Sequence, residues 1–205
     1  MQPSNSILLV AEDSLGLAIG RRLVQEHEAL SLWRVTNARG CDTIRRDIRK
    51  YDTMAQNGFP VLALTDLDSC ACCRLLVDKW VGNRHCLHQN LLLRICVREA
   101  EAWLMADPGP LSQLLRVPEK RFPLQPEHLT DPKRFLLKLA THAPAKVRRG
   151  LLPVSKSTAR IGPEYNDILL PLVATWDIDK AARRSPSLAK ARQRLGELAL
   201  RVSGH

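Results

Sequence analysis

Four short strand-like segments, separated by segments of helical periodicity, most constrain how this chain can fold. Three of them are apolar runs, Ser6–Ala11, Pro60–Leu64 and Leu91–Val97, whereas Leu30–Thr36 alternates between apolar and polar residues, and all four are predicted to be strands. Each is followed by a segment with apolar residues at helical spacing: Ser14–His27, Cys41–Met54, Cys72–Val81 and the stretch EAEAWLMAD. Apolar strands that alternate with helices favour a mostly parallel sheet with helices on both faces. The sequence therefore predicts an α/β fold.

The pattern changes after Asp107. Six prolines interrupt short helical segments there: Pro108, Pro110, Pro118, Pro123, Pro126 and Pro132. No further strong strand pattern appears, whereas residues 187–202 (SLAKARQRLGELALRV) have the spacing of an amphipathic helix. We therefore predict a sheet domain over residues 1–108 and a helical extension over residues 109–205.

The positive charge is concentrated in the second part of the chain. Residues 1–108 hold 13 Lys and Arg and 13 Asp and Glu, whereas residues 109–205 hold 18 and 8. The extension therefore carries the whole net charge of +10. A neutral domain with clustered acids next to a basic segment suggests metal chemistry beside polyanion binding. The alternative is a basic surface that only keeps the protein in solution.

The sequence favours a cytoplasmic location. No apolar run reaches the roughly 18 residues that a membrane helix needs, so no membrane partner is expected. The first apolar run has no basic segment before it, and Glu12 and Asp13 end it early, which argues against a secretory signal. The six cysteines are therefore expected to be reduced thiols.

Acidic residues follow three of the four predicted strands. Glu12 lies just past the first strand, Asp66 and Asp68 past the third, and Glu99 past the fourth. Ligands of open parallel sheets bind at the carboxyl ends of the strands, so these side chains are candidates for one site. In an extended segment, residues i and i+2 point the same way, which would let Asp66 and Asp68 reach one cation.

Carboxylates in this pattern suit a hard divalent ion such as Mg²⁺, which prefers oxygen ligands. Glu12 is then a third ligand or a general base, and Glu99 and Glu101 are candidates for a second metal site. Two-metal sites stabilise the attacking and leaving oxygens in phosphodiester cleavage. The alternative is that these acids are ordinary caps and solvated loop residues.

Two motifs resemble those of a known nuclease fold. Glu12 after the first strand and Asp66-Leu67-Asp68 after the third resemble the Glu and DxD motifs of TOPRIM domains. The stretch ICVREAEAWLMAD resembles an E-x-E-x-W-L-x-A-D signature of a TOPRIM-like prokaryotic family, and GPEYN and SPSLAKARQRL are similar to its C-terminal part. A response-regulator receiver domain fits less well, since Arg98 and Glu99 occupy the place of its Ser or Thr.

The resemblance implies a TOPRIM-like sheet and roles for individual residues. Asp66 and Asp68 would be Mg²⁺ (or Mn²⁺) ligands, and Glu12 a metal ligand or general base. Glu101 would be a further acidic site residue, with Glu99 as its competitor. The chain departs from the usual motif after the first Glu, because Asp13 and Ser14 stand where TOPRIM domains usually have Gly and Gly16 comes later.

The resemblance also implies partners. Related TOPRIM nucleases of the OLD type work with ABC-like ATPases in defence against phage. An ATPase partner of the ABC or AAA type is therefore expected. A homodimer is expected as well, because TOPRIM proteins of this size often dimerise.

A choice between Glu99 and Glu101 follows from helix geometry. If the helix begins near Arg98, these two side chains point about 200° apart, so only one faces the cleft. We expect that residue to be Glu101, because the resemblance to the TOPRIM-like family is strongest around it. For phosphate contact, a basic series runs from residue 133 to residue 160, and Lys156 is the candidate for the scissile phosphate. Aromatic residues make up only 4% of the chain, so a base-stacking platform for single strands is not predicted.

A second metal chemistry stays open. Soft ligands are concentrated in one stretch, at Cys70, Cys72, Cys73, His85, Cys86 and His88. Their irregular spacing matches no standard zinc finger or ribbon, and the alternative is small reduced thiols packed under a loop.

The sequence therefore leads to one main hypothesis and two alternatives. The main one is a Mg²⁺-dependent nuclease that cleaves phosphodiester bonds in DNA or RNA and acts as an antiviral effector. The first alternative is a non-catalytic TOPRIM-like subunit that binds nucleic acid or a partner protein. The second is a binding module stabilised by zinc.

Overall fold

A computed structural model describes residues 5–82, 86–155 and 157–203. The chain forms two compact units. The first unit combines Met1–Val97 with Ser187–His205, and the second is Arg98–Pro186. The predicted domain boundary after residue 108 stays a prediction, because compactness alone does not show which segment folds by itself.

The first unit contains a four-stranded sheet in which every pair of neighbouring strands is parallel. The strands are β1 (Ser6–Ala11), β2 (Ser31–Asn37), β3 (Val61–Asp66) and β4 (Leu91–Cys96). Their order across the sheet is β2-β1-β3-β4, which leaves β2 and β4 at the edges. The predicted α/β fold with a parallel sheet is confirmed.

Helices cover both faces of this sheet. They are α1 (Ser14–Val24), α2 (Cys41–Gln56) and α3 (Cys73–Val81). On one face Ile44 and Ile48 of α2 pack in a core cluster with Leu8 of β1. On the other face α1 lies so close that a Cβ at Gly20 would meet the side chains of Leu9 and Leu64. Leu8 and Leu9 point to opposite faces, as alternation along a strand requires, so the predicted cover on both faces is confirmed.

The last helix, α10 (Pro186–Ser203), belongs almost entirely to the first unit. The guanidinium of Arg192 donates to both carboxylate oxygens of Glu26 at 2.8 and 3.0 Å. Arg201 donates to the backbone carbonyl of Gln89 at 3.0 Å. These bonds tie the C-terminal segment to the connections that follow α1 and precede β4.

The second unit contains helices joined by loops and no strand among its described residues. Its helices are α4 (Ala100–Ala106), α5 (Pro108–Leu115), α6 (Pro132–Ala140), α7 (Ala145–Leu151), α8 (Tyr165–Thr175) and α9 (Ile178–Ala182). Asp-Pro pairs explain where two of them begin, because Asp107 and Asp131 cap α5 and α6 and the following proline occupies the first turn. Pro108 and Pro132 therefore mark helix starts. None of the helices within the described ranges combines the length and apolar character that a membrane crossing needs.

The end of α7 and the loop before α8 approach so closely that position 162 requires glycine. The Gly162 N–H donates to the Leu151 carbonyl at 2.8 Å. A Cβ at Gly162 would lie 2.2 Å from the carbonyl oxygen of Gly150. Because that obstacle is backbone, we expect Gly162→Ala to lower the free energy of unfolding by about 1–3 kcal/mol. Urea denaturation followed by tryptophan fluorescence measures the change.

Gly196 in α10 is the matched control. A Cβ there would meet only His27 Cε1, at 3.6 Å, which is ordinary contact. Because alanine favours a helix, Gly196→Ala is expected to leave stability unchanged or to raise it by up to about 1 kcal/mol. Equal stabilities of the Gly162→Ala variant and the wild type would contradict the described contact.

Candidate metal centre at the ends of two strands

The order of the strands creates a crevice at the carboxyl ends of β1 and β3. The chain leaves β1 towards β2 on one side and leaves β3 towards β4 on the other. Connections that diverge in this way open a crevice between the two strand ends, where open α/β sheets bind ligands. Glu12 follows β1 directly and Asp66 is the last residue of β3, so both predicted residues lie at this crevice.

Glu12 is held in place by the neighbouring strand. Ala11 is opposite Leu64 in the parallel register, so the next residue, Glu12, lies level with Thr65. The Thr65 hydroxyl donates to Glu12 Oε1, and the Asp66 backbone N–H donates to the same oxygen at 2.9 Å. Since both bonds use Oε1, Oε2 is the oxygen with which Glu12 can hold a cation.

The surroundings of Glu12 act on its charge in opposite directions. Burial raises the pKa of the Glu12 carboxyl, and the negative charges of Asp68 and Asp13 add to that rise. The two hydrogen bonds from Thr65 and Asp66 lower the pKa, but the net shift is upward. A cation at Oε2 would favour the ionised form.

Asp13 has a different role from its neighbour. Its side chain caps α1 by accepting a hydrogen bond from the Gly16 N–H at 2.8 Å. A Cβ at Gly16 would lie 3.1 Å from that of Ala11, so this glycine lets α1 pack closely on the end of β1. Of the two acids that end the first apolar run, Glu12 is therefore the one that belongs to the site.

The DxD motif is not extended. The prediction that its two aspartates point the same way because they lie in an extended segment is therefore wrong in its geometry. Asp68 has a φ of 49°, in the left-handed region, and its side chain is exposed. Asp66 is still part of β3, so the rule that residues i and i+2 of a strand point the same way does not apply across this pair. Leu67 anchors the turn between them, because it is buried and its N–H donates to the Cys96 carbonyl at 2.9 Å.

A group with metal-ligand spacing forms at this crevice, and it includes a residue that the sequence did not indicate. Glu12, Cys41 and Asp68 each offer a ligand atom, and these three atoms lie within 4.8 Å of one another. This cluster could hold a metal ion. The predicted residues Glu12 and Asp68 are thus brought together, whereas Asp66 contributes a backbone N–H to Glu12 and is not a member of the group.

Cys41 reaches the group because the β2–α2 connection is bound to the end of β1. The Ala38 N–H donates to the Ala11 carbonyl at 2.8 Å, and the Gly40 N–H donates to the Glu12 carbonyl at 3.0 Å. Burial raises the pKa of the Cys41 thiol, and the negative charges of Glu12 and Asp68 raise it further. The signal for Cys41 was its place at the start of a helix after the second strand, whose end meets the same edge of the sheet.

Glu99 and Glu101 lie in the second unit, where both carboxylates are close to the ammonium group of Lys133. Lys133 Nζ is 3.8 Å from Glu99 Oε1 and 3.5 Å from Glu101 Oε1. The Lys133 backbone N–H donates to Glu99 Oε2 at 2.8 Å, and the Tyr165 hydroxyl donates to Glu101 Oε1 at 2.8 Å. Burial raises the pKa of Glu101 even though Lys133 and the Tyr165 hydroxyl oppose the rise.

The helix geometry assumed for these two glutamates is wrong, whereas the choice of Glu101 as the site residue stays a prediction. Helix α4 begins at Ala100 and Glu99 is its N-cap with extended backbone, so the 200° separation of helical neighbours does not apply. Both carboxylates reach Lys133 as a result. That Glu99 and Glu101 form a second metal site stays a prediction.

The other predicted site residues are the phosphate-contacting lysine and the zinc candidates. Lys156 and His85 lie outside the described residues. Of the remaining zinc candidates, Cys70, Cys72, Cys73, Cys86 and His88, none belongs to the metal-competent group found among the described residues. The zinc hypothesis therefore has no geometric support in the described part of the chain.

Comparison with known proteins adds no relative. No protein-family model matches the chain. No curated protein matches it either, and no solved structure does. The resemblance to TOPRIM nucleases therefore depends on the quoted motifs and stays a prediction.

The hydrogen bond from Thr65 to Glu12 generates a testable prediction. Thr65→Val keeps the shape of the buried side chain but removes the donor, so the pKa of Glu12 should rise further. A neutral carboxyl binds cations poorly, and we expect Mn²⁺ affinity to fall by about tenfold, in line with the ~1.5–3 kcal/mol of a hydrogen bond to a charged group. Calorimetric titration at pH 6 and pH 8 measures it, and the loss should be larger at pH 6.

Thr65→Ser is the matched control, because it keeps the hydroxyl. We expect its Mn²⁺ affinity to stay close to that of the wild type. Equal affinities of the Val and Ser variants would mean that this hydroxyl does not prepare Glu12 for a cation.

The buried Glu101 predicts a pH dependence of stability. Its pKa is raised in the folded protein, so its contribution to stability is full below the unfolded pKa and is lost as the pH rises through the folded pKa. Gln cannot ionise, and Glu101→Gln should therefore lose less stability than the wild type between pH 5 and pH 8. Thermal unfolding at both pH values checks this, with Glu99→Gln as the control for removing one acid from the same cluster. A steeper fall in Glu101→Gln would contradict the burial effect.

Proposed function

We propose that this protein is a divalent-metal-dependent nuclease that cleaves phosphodiester bonds of DNA or RNA. The observation that carries the proposal is the pair of carboxylates, Glu12 and Asp68, at the crevice between the carboxyl ends of β1 and β3. The net charge of +10 supports a polyanionic substrate.

The donor set decides which ion fits the group. The carboxylate oxygens of Glu12 and Asp68 suit Mg²⁺ or Mn²⁺, which bind proteins through one or two carboxylates and keep several waters. A cysteine sulfur is a soft ligand, which suits a hard ion less well than carboxylate oxygens do. We therefore assign the ion to the two carboxylates and place Cys41 at the border of the site.

The chain's own residues prepare this chemistry. Glu12 is oriented by Thr65 and Asp66, which occupy Oε1 and leave Oε2 for the ion. A bound Mg²⁺ or Mn²⁺ polarises a phosphoryl oxygen of the substrate. Exposed cations of the extension, among them Arg148 and Arg149, supply phosphate contacts without reading sequence.

The antiviral role, an ATPase partner and a homodimer belong to the proposal through the resemblance alone. An effector of this kind has to be restrained until a trigger arrives. Cleavage is therefore tested together with metal binding, so that inactivity and loss of the metal site can be distinguished.

One observation favours the alternative, a non-catalytic subunit that binds nucleic acid or a partner protein. The described group contains only two carboxylates, whereas a two-metal site needs more oxygen ligands. On this alternative, the ion would stabilise the crevice without cleavage.

The test compares Glu12→Gln and Asp68→Asn with the wild type on plasmid DNA and total tRNA, with Mg²⁺ or Mn²⁺. We expect cleavage to fall by at least about 100-fold, the upper end of the losses seen when partners of metal ligands are changed. Mn²⁺ binding should weaken in the same variants.

Asp47→Asn is the control, because it removes one negative charge from the exposed surface of α2, where Asp47 pairs with Arg46. Cleavage that survives in Glu12→Gln and Asp68→Asn would overturn the proposal. Metal binding by the wild type without cleavage of any substrate would favour the non-catalytic subunit.

A further inference from the structure

A cleft of about 400 Å³ lies beside the edge strand β2 of the first unit, and its described lining includes none of the three residues of the metal group. It is lined by Trp33, Lys50, Thr53, Met54, Asn57 and Phe59. Trp33 and Phe59 are 42% and 39% exposed, and their ring centroids are 6.4 Å apart. Large aromatic side chains that are gathered and exposed in a concave surface mark a binding site.

A bulge in the edge strand presents Trp33. Ile7 pairs with Leu32 and the next residue of β1, Leu8, pairs with Arg34, so Trp33 is an extra residue on β2. Bulges redirect a side chain and occur at sheet edges and near functional sites. The exposure of Trp33 is therefore built into the backbone.

The end of α2 presents Phe59. Gly58 has a φ of 86° and donates its N–H to the Ala55 carbonyl at 3.2 Å, while Phe59 donates to the Met54 carbonyl at 3.0 Å. This pair of bonds is the Schellman motif, which places Phe59 against Met54. Both aromatic walls of the cleft are thus fixed by backbone structure, and the cleft exists before a ligand arrives.

The charges at the cleft indicate an anionic ligand. Lys50 is the charged residue among the described lining residues and is exposed, and its charge also acts on Asp47, one turn earlier on α2. The next residue along β2 after Trp33, Arg34, is also an exposed cation. A ligand that combines a flat ring with a negative charge matches the aromatic wall and Lys50 together. The Asn57 amide at the rim has both donors and an acceptor for the edge of a base.

The same features disfavour a second copy of the chain as the occupant. Two β2 strands that paired antiparallel across a two-fold axis at Arg34 would bring like charges directly opposite each other. The bulge at Trp33 also interrupts the edge that such pairing would use.

We infer that this cleft binds an unpaired nucleobase of single-stranded nucleic acid, stacked on Trp33 and bordered by Phe59, whose ring is tilted by 39° from that of Trp33, with a neighbouring phosphate at Lys50. The inference rests on the proposed nuclease for the identity of its ligand. It narrows the substrate to nucleic acid with exposed bases, because both faces of a base in a duplex are already covered by its neighbours.

The experiment uses fluorescein-labelled single strands of about 12 nucleotides, as DNA and as RNA, and matched strands with abasic positions. Binding is measured by fluorescence anisotropy in EDTA, so that it does not depend on cleavage. We expect Trp33→Leu and Phe59→Leu each to weaken binding of the base-bearing strand about tenfold, the range of one lost stacking contact. Binding of the abasic strand should not change.

Leu200→Ala, which removes an exposed apolar side chain of α10, is the control and should bind like the wild type. Leu at position 33 or 59 keeps apolar bulk, and thermal unfolding confirms that each variant is folded. Equal wild-type affinity for base-bearing and abasic strands would overturn the inference. So would a wild-type dimer that Trp33→Arg dissociates, because a second copy would then occupy the cleft.

The outcomes also separate this inference from the proposed function. Trp33-dependent binding without metal-dependent cleavage would leave the base site standing and remove the nuclease. Cleavage that depends on Glu12 and Asp68, with strand binding unaffected by Trp33→Leu, would remove only the base site.

Discussion

The parallel pairing of β1 with β2 on one side and β3 on the other is the constraint on which the rest of the first unit depends. It makes β1 an interior strand and sends the two connections apart, which opens the crevice at the strand ends. Its register sets Ala11 opposite Leu64 and so brings Thr65 and Asp66 to Glu12. A slip of one residue would turn the apolar side chains of β1 to the wrong faces and separate Glu12 from its donors.

Much of the fold could be predicted because most strands are continuous apolar runs and the helices between them have apolar residues at helical spacing. The four predicted strands and the helices between them all exist, with ends that differ by a few residues. The site was only partly predictable. Glu12 and Asp68 were found because they follow strands, but a linear pattern does not give the order of strands, and that order brings Cys41 to the group. The left-handed backbone of Asp68 and the cap position of Glu99 depend on local turns that residue spacing does not show.

One segment, residues 31–59, contributes to both candidate sites of the first unit. Strand β2 carries Trp33, Cys41 is the first residue of α2, and Phe59 lies in the turn that follows α2. The low aromatic content of the chain did not indicate the second site, because a chain with few aromatic residues can still bring two of them together. The bulge in β2 and the cap at the end of α2 do so here, and both are backbone features that set the direction of a side chain.

Helix α10 follows the second unit in the sequence but belongs to the first unit. The second unit is therefore inserted between the two segments that form the first unit. Glu26 must therefore wait for Arg192 until the second unit has been synthesised. A nascent chain can pair its four strands early, yet the unit that holds the carboxylate pair is completed only after the second unit has been translated. A fragment that stops at residue 108 would lack this helix, so a shortened version of the sheet unit has to join the segment before residue 98 to the segment after residue 186.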